Sequence, residues 1–263
     1  MTYRYIYNEG KTALSPVLVL LHGTGGDEYS LLPLAETVAP EAAVLSLRGN
    51  RTENGMNRFF NRYPDGQIDV ADLTEETDRL YRFLTDFAAE HQFDKRPVVA
   101  VGYSNGANMI VSHFHHINPI FDGAILFRGT DYRPLDSFHD LKGRSIFAAA
   151  GSSDPLVPPE SARRMIAGFE KAEAAVQAYW SHSGHQLTDS EVQASAKWFQ
   201  SFIGGPAMKK LLKEINDLAG AAKERTLTAR ELEKRDELRQ QYLAIPEHLP
   251  RGFPTKSAQC HRH

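Results

Sequence analysis

At 263 residues the chain can form one large domain, or one domain with a small appendage. Hydrophobic residues make up 41% and the net charge is −3, which indicates an ordinary globular core and excludes a strongly basic nucleic-acid-binding protein. A single cysteine, Cys260, excludes an internal disulfide framework, and the longest aliphatic run, Val17–Leu21, is too short to cross a bilayer.

The N-terminal residues Met1–Tyr7 have neither the apolar segment nor the small-residue cleavage site of a signal peptide. Together with the lone cysteine, this predicts a cytoplasmic protein. We expect neither a nucleic acid nor a membrane as a partner of the main domain.

Short apolar runs and longer amphipathic segments alternate along the first 203 residues. The apolar runs predict strands at Thr2–Tyr7, Val17–Leu21, Ala43–Leu47, Val98–Gly102, Gly123–Phe127, Ile146–Ala150 and Val176–Trp180. The amphipathic segments predict helices at Leu31–Val38, Asp72–Gln92, Ala107–His116, Pro159–Ala172 and Asp189–Phe202. This alternation predicts an α/β fold with a doubly wound, mostly parallel sheet. Ligands of such sheets bind beyond the carboxyl ends of the strands, so the loops that follow the strands are the candidate site.

The loop after the first buried strand, His22-Gly23-Thr24-Gly25-Gly26, is rich in glycine. Backbone N–H groups of such a loop can stabilise an anionic oxygen. Phosphate is the alternative ligand, but the loop has no lysine and no G-x-x-x-x-G-K pattern. We therefore predict an oxyanion hole formed by the backbone amides of Thr24 and Asn105.

The longest irregular loop is predicted at Arg48–Asp69, after the second buried strand. Its position predicts that it overhangs the site. We expect the rings of Phe59 and Phe60 to bind the substrate, and packing of these rings against the sheet is the alternative.

A strand and a helix are predicted on either side of Gly102-Tyr103-Ser104-Asn105-Gly106. This G-x-S-x-G pattern in a strand-turn-helix context is typical of a nucleophile elbow, which holds a serine above the sheet at the start of a helix. The pattern alone is common, and a chance glycine-rich turn is the alternative. The context favours Ser104 as a nucleophile.

Serine becomes a nucleophile only when a base removes its proton. His185 follows the last predicted strand and directly precedes the last helix, where folds with this elbow carry their base. We expect its neighbour His182 to be a solvated loop residue. The spacing of His113, His115 and His116 does not place all three on one helix face, so we predict surface positions there and no metal site.

A carboxylate must orient the base and stabilise its charged form. Asp154 follows the strand Ile146–Ala150, and a Ser-Asp-His order along the chain is the one expected for this elbow. Asp131 and Asp136 also lie between the serine and the histidine and are alternatives, although their place beside Pro134 favours a turn role.

The segments Leu21–Glu28, Gly102–Asn108 and Gly184–Thr188 resemble the phospholipase/carboxylesterase family of α/β-hydrolases, in particular its MhqD-like esterase branch. The resemblance covers roughly residues 1–203. It implies the α/β-hydrolase fold and a serine carboxylesterase that hydrolyses small carboxylic esters through an acyl-enzyme intermediate, without metal or organic cofactor. The sequence leaves open whether the enzyme is a homodimer.

Two residues distinguish this predicted function from those of related hydrolases. Acyl-protein thioesterases usually have glutamine where Asn105 stands, and dienelactone hydrolases use cysteine where Ser104 stands. An acyl-protein thioesterase or a lysophospholipase of the same family is the alternative enzyme. A non-catalytic binding protein on a hydrolase scaffold is the alternative from another class.

The C-terminal part is predicted to be a separate piece. We expect a catalytic domain over residues 1–203, a linker at 204–207, a helical hairpin at 208–250 and a flexible tail at 251–263. The hairpin resembles the YnzC-like bacterial family of unknown function, so its partner stays unknown. Thr228 and Glu231 predict a capping box at the start of its second helix.

Overall fold

The structure is a computed structural model that describes residues 3–11, 15–93, 96–133, 138–204, 218, 221 and 225–243. The chain divides into two compact units, Met1–Phe202 and Ile203–His263. Among the described helices, none combines the length and the apolar content that crossing a membrane requires.

A seven-stranded sheet forms the centre of the first unit, in the order β1-β3-β2-β6-β7-β8-β9. Its strands are β1 (Arg4–Asn8), β2 (Val17–Leu21), β3 (Ala43–Arg48), β6 (Val98–Tyr103), β7 (Gly123–Phe127), β8 (Ser145–Gly151) and β9 (Ala175–Ser181). All neighbouring pairs are parallel except β1 with β3, which is antiparallel. The doubly wound, mostly parallel sheet predicted from the sequence is therefore confirmed.

Five helices cover the sheet. They are α1 (Leu32–Val38), α2 (Val70–Glu90), α3 (Asn105–His113), α4 (Pro159–Lys171) and α5 (Asp189–Phe202). Helices α1 and α5 pack against each other, and so do α2 and α3. Phe114 at the end of α3 packs edge-on against Phe169 of α4, with ring centroids 5.5 Å apart. On the other face of the sheet, Phe147 of β8 packs against Trp198 of α5.

The central strands are buried on both faces, which explains their continuous apolar sequence. All five residues of β2 and of β7 are buried. Alternate residues of β2, such as Val17 and Val19, share a core cluster with Leu80 of α2 and Phe169 of α4.

The loop predicted at Arg48–Asp69 contains a short antiparallel ribbon, β4 (Arg51–Glu53) with β5 (Met56–Arg58). Asn54 and Gly55 connect the two strands with positive φ angles of 50° and 79°. An Asn-Gly pair is the usual sequence of a two-residue hairpin turn, and it was the signal for this ribbon. The prediction of an irregular loop was wrong over these residues.

The order of the strands reverses at β2 and β6, which lie side by side in the sheet. The chain proceeds from β2 toward one edge and from β6 toward the other. Loops at the carboxyl ends of these two strands leave a crevice between them, which is the usual ligand site of such sheets.

In the second unit, helix α6 (Ala229–Leu243) is described. At its start, the Glu231 carboxylate accepts a hydrogen bond from the Thr228 backbone N–H at 2.9 Å, and the Glu231 N–H donates to the Thr228 hydroxyl at 3.3 Å. The predicted capping box is confirmed. Most of the first helix of the predicted hairpin, and the tail with Cys260, lie outside the described residues.

Candidate active site

The turn between β6 and α3 holds Ser104 in a backbone conformation that L residues rarely adopt, with φ 51° and ψ −111°. The glycines on either side are required by close packing. A Cβ atom on Gly102 would lie 2.7 Å from the backbone of Ala107, and one on Gly106 would lie 2.0 Å from the carbonyl oxygen of Leu21. The turn thus has the geometry of the predicted elbow.

Ser104, His185 and Asp154 meet at the carboxyl ends of β6, β9 and β8. The Ser104 Oγ is 2.9 Å from the His185 Nε2, and the His185 Nδ1 is 2.8 Å from the Asp154 Oδ2. The order of these contacts is that of a nucleophile, a base and an orienting acid.

The second carboxylate oxygen of Asp154 also accepts hydrogen bonds. Its Oδ1 accepts hydrogen bonds from the backbone N–H groups of Leu156 at 2.8 Å and Val157 at 3.0 Å. The side chain of Asp154 is fully buried. The carboxylate is therefore fixed by its own loop and presents a single oxygen to His185.

The alternative acid Asp131 is not in this position. Asp131 is buried and pairs with His115, whose Nε2 lies 3.1 Å and 3.2 Å from the two carboxylate oxygens. Asp136 lies outside the described residues. His182, the neighbour of His185 in the same loop, is exposed, in agreement with its predicted role as a solvated loop residue.

Thr24 and Asn105 line the cavity described below, together with Ser104. Each is held by a side-chain contact. The Asn105 Oδ1 accepts from the backbone N–H of Phe59 at 2.7 Å, and the Thr24 Oγ1 accepts from the Nη1 of Arg58 at 2.7 Å. Both residues therefore border the cavity, and their side chains are fixed by the loop that follows β3.

His22 fixes the start of the glycine-rich loop. Its Nε2 accepts from the Gly49 backbone N–H at 3.0 Å, so its Nδ1 carries the proton and donates to the Gly23 carbonyl at 2.6 Å. Burial lowers the pKa of His22 against the opposing effect of that backbone bond, which keeps the ring in the neutral form this arrangement needs.

A cavity of about 710 Å³ opens above Ser104 and His185. Residues of the long loop and of two later segments form its walls, namely Arg58, Arg62, Gly66, Gln67, Ile68, Val70, Tyr132, Leu156 and Val157. The loop after β3 therefore lines the site as predicted, but with other side chains.

The prediction that Phe59 and Phe60 bind the substrate is wrong. Both rings are fully buried and neither lines the cavity. Phe59 packs on His22, with ring centroids 4.8 Å apart, and the guanidinium of Arg58 lies 5.6 Å from the Phe60 ring centroid. Both rings belong to the hydrophobic core instead, because apolar rings gain more from full burial than from a half-open pocket.

The predicted surface positions of three histidines are also partly wrong. His113 and His115 are buried, whereas His116 is half-buried. His113 accepts a hydrogen bond from the backbone N–H of Ile120 at 3.2 Å, which gives it a structural role. Within the described part of the chain, no three His, Cys, Asp or Glu side chains come together as a metal ion would require.

Two arginines at the site were missed in the sequence. Arg58 lines the cavity, and Arg128 is fully buried behind the loop of His185. The signal for Arg128 was its place immediately after the apolar strand β7, where a lone charge needs a buried partner.

Comparisons with known proteins place these features in a family. Residues 67–199 match the model of the dienelactone hydrolase family, and residues 210–246 match a family described as bacterial protein of unknown function (DUF896). The chain is 38% identical over 201 residues to the putative hydrolase MhqD of Bacillus subtilis, which covers 76% of this chain and 99% of that protein.

Solved structures give the same result. The Bacillus cereus carboxylesterase superposes with a TM-score of 0.73 at 42% identity, covering 76% of this chain and 94% of that one. The structure of YahD with malic acid gives a TM-score of 0.70 at 34% identity, covering 76% of this chain and all 100% of that one. The α/β-hydrolase fold and the resemblance to MhqD-like esterases are confirmed.

Proposed function

This chain belongs to the dienelactone hydrolase family of α/β-hydrolases, with Ser104 where dienelactone hydrolases themselves use cysteine, and we propose that it is a serine carboxylesterase that hydrolyses small carboxylic esters. A hydrolase function of the carboxylesterase type is supported by its relatives. The observation that carries the finer assignment is the contact chain from Ser104 through His185 to Asp154, with distances of 2.9 Å and 2.8 Å.

The proposed reaction proceeds in two halves. His185 Nε2 takes the hydroxyl proton of Ser104 while the Oγ attacks the ester carbonyl, and the backbone amides of Thr24 and Asn105 stabilise the oxyanion. The protonated His185 then gives its proton to the departing alkoxide, which leaves an acyl group on Ser104. Water, deprotonated by His185, attacks this acyl-enzyme and releases the carboxylic acid and the free serine.

The charge of the cavity favours esters that carry a negative group. Arg58 and Arg62 line it, and no Asp or Glu is among the described lining residues. The Arg58 Nε and the Arg62 Nη2 lie 3.1 Å and 2.7 Å from Glu53, so two cations share one carboxylate. The relative YahD, whose structure contains malic acid, supports an acidic substituent on the substrate.

The test is turnover of an ester panel by the wild-type protein and by Ser104→Ala. We expect wild type to hydrolyse short p-nitrophenyl esters, and a hemisuccinate ester better than its neutral homologue. Loss of the nucleophile should lower kcat on the order of 10⁶-fold, as in another serine hydrolase, with no change in Tm.

The alternatives give different results in the same panel. A preference for acyl-thioesters or lysophospholipids would assign the chain to those activities of the related enzymes. Ser104→Ala that keeps a tenth of the wild-type turnover would exclude Ser104 as the nucleophile. A wild type that cleaves no ester and resists a fluorophosphonate probe would indicate a binding protein.

A further inference from the structure

The loop that carries His185 is held by its backbone carbonyl groups. Three consecutive carbonyls each accept a hydrogen bond from a side chain on another strand end. Arg128 donates to Gly184 at 2.9 Å through Nε and to Gln186 at 2.6 Å through Nη2, while the Tyr103 hydroxyl donates to His185 at 3.0 Å. The two donors follow β7 and end β6, so they connect this loop to the centre of the sheet.

Both the burial and the backbone conformation of Arg128 are unfavourable for folding by themselves. Its side chain is 1% exposed, and its backbone φ of 57° is one that L residues rarely adopt. Its charge is balanced by Glu191 at the start of α5, whose two carboxylate oxygens lie 2.6 Å and 3.0 Å from Nη1 and Nη2. A buried bidentate pair of this kind is rigid and directional.

Glu191 is in turn held in its charged form. Burial alone would raise the pKa of Glu191, but the hydrogen bonds from Arg128, Ser181 and Thr188 lower it below its usual range. The carboxylate accepts from the Ser181 hydroxyl at 2.7 Å and from the Thr188 backbone N–H at 2.8 Å. Ser181 and Thr188 lie before and after His185, so Glu191 binds both ends of the loop whose carbonyls Arg128 holds.

Arg128 also faces the acid of the site. Its Nε lies 3.7 Å from the Asp154 Oδ2, the oxygen that contacts His185. One buried cation therefore stands between two buried carboxylates, Asp154 and Glu191. Across the cavity the charged groups are Arg58 and Arg62.

We infer that Arg128 and Tyr103 are positioning residues that hold His185 by its loop carbonyls, and that the Arg128–Glu191 pair sets the charge behind the Asp154–His185 dyad. The inference rests on the proposed role of His185 as the base. A general base works only within about 3 Å of its proton donor, and small displacements of reacting groups cost large factors in rate.

The first test uses Tyr103→Phe, which keeps the ring and removes one hydrogen bond to the His185 carbonyl. We expect kcat on a short p-nitrophenyl ester to fall about tenfold because the base is less precisely held against Ser104, with KM close to wild type. A purely structural tyrosine would show the opposite pattern, with a lower Tm and an unchanged kcat.

The second test compares the pH dependence of kcat/KM in Glu191→Gln and Arg128→Gln. The acid limb is the part of the pH profile in which kcat/KM falls as the base becomes protonated. Removing the negative charge of Glu191 disfavours that protonation, so the acid limb should move to lower pH. Removing the positive charge of Arg128 favours protonation, so the limb should move to higher pH. Each shift should be on the order of one pH unit. A loss of packing common to both variants would not move the acid limb to lower pH in Glu191→Gln and to higher pH in Arg128→Gln.

Arg144→Gln is the matched control. Arg144 forms an ion pair with Asp122, with Nη1 and Oδ1 2.6 Å apart, at the amino ends of β8 and β7. The site lies at the carboxyl ends of the strands and this pair at their amino ends, so its loss should leave the pH profile unchanged. If Arg128→Gln does not fold, the double variant Arg128→Gln/Glu191→Gln removes both charges and should show low kcat with the acid limb near its wild-type pH.

Two results would overturn the inference while the proposed function stands. One is an acid limb that does not move in Glu191→Gln or moves with the same sign as in Arg128→Gln. The other is wild-type kcat in Tyr103→Phe. Failure of the proposed function itself is distinct, because then the wild-type protein cleaves no ester.

Discussion

Asp154 uses its two carboxylate oxygens for different purposes. One is fixed by two backbone amides of its own loop, and the other contacts His185. Asp131 has a similar burial but directs both oxygens to His115. The two aspartates are therefore a natural pair for separating catalysis from structure.

We expect Asp154→Asn to keep the hydrogen-bonded geometry and to favour the wrong tautomer of His185. The loss in kcat should be on the order of 10⁴-fold, as described for the same change in another Ser-His-Asp triad. Asp131→Asn should lower Tm and leave kcat within a few-fold of wild type. Steady-state kinetics and thermal melts of both variants check this, and reversed outcomes would transfer the role of the acid to Asp131.

The meeting of Ser104, His185 and Asp154 could be predicted because each follows a strand and the Ser-Asp-His order is characteristic. The cavity walls could not. Phe59 and Phe60 occur in the right loop, but the sequence does not tell which of its residues point inward. Arg128 was missed because its role depends on Glu191, 63 positions further along the chain. Pairings across such distances leave no local pattern.

At the scale of elements, the site depends on how closely α3 approaches β2. The Cβ of an alanine at position 106 would lie 2.0 Å from the Leu21 carbonyl oxygen, so helix and strand must separate. We expect Gly106→Ala to abolish activity and to destabilise the fold by several kcal/mol, on the order of a severe overpacking change. Circular dichroism melts and esterase assays measure both effects.

Gly143→Ala is the control for this substitution. Gly143 has a φ of 85°, and no atom lies within 4 Å of the place that a Cβ would take, so alanine meets strain but no obstruction. The cost should be about 1 kcal/mol, which corresponds to a fall in Tm of roughly 2–4 °C, with full activity. Equal effects of the two alanines would show that the close approach of α3 to β2 does not limit position 106.

Element types and order were predictable over most of the first 202 residues, because long apolar runs and amphipathic segments alternate with clear breaks. Helix boundaries shifted by a few residues, as α3 shows, which begins at Asn105 and ends at His113. The ribbon β4–β5 was missed because three-residue strands have too few residues for a period to be seen.

At the scale of the whole molecule, the described residues that line the cavity all belong to the unit Met1–Phe202. We therefore expect a chain ending after Gly205 to keep kcat/KM within a factor of two of the full-length value. Kinetics and thermal melts of the two proteins provide the measurement. A folded truncated protein with a hundredfold lower kcat/KM would show that the C-terminal unit contributes to the active site.

Buried histidines should make the stability of the protein sensitive to acid. Burial, with a smaller contribution from His116, lowers the pKa of His113 to about 3, against about 6.5 in the unfolded chain. Below that unfolded value the unfolded state binds more protons than the folded state. The free energy of unfolding should therefore decrease as the pH is lowered. The decrease should be about 2 kcal/mol from pH 7 to pH 5 for this residue alone.

Urea titrations at the two pH values measure this loss. His113→Gln should reduce the difference between pH 7 and pH 5, even if it lowers stability at both. The exposed His182 provides the control, since His182→Gln should leave the difference unchanged. A wild-type protein that is equally stable at both pH values would contradict the prediction.

Asn105 joins the turn that carries Ser104 to the loop that shapes the cavity. Its backbone follows the nucleophile, while its buried side chain is bonded to Phe59 in the loop that shapes the cavity. A change in that loop which displaces Phe59 also displaces the group proposed to stabilise the transition state. New substrate preferences are therefore most accessible through side chains such as Arg62 and Gln67, which border the cavity without touching this connection. Exchanging the whole loop for that of a relative would alter selectivity and rate together.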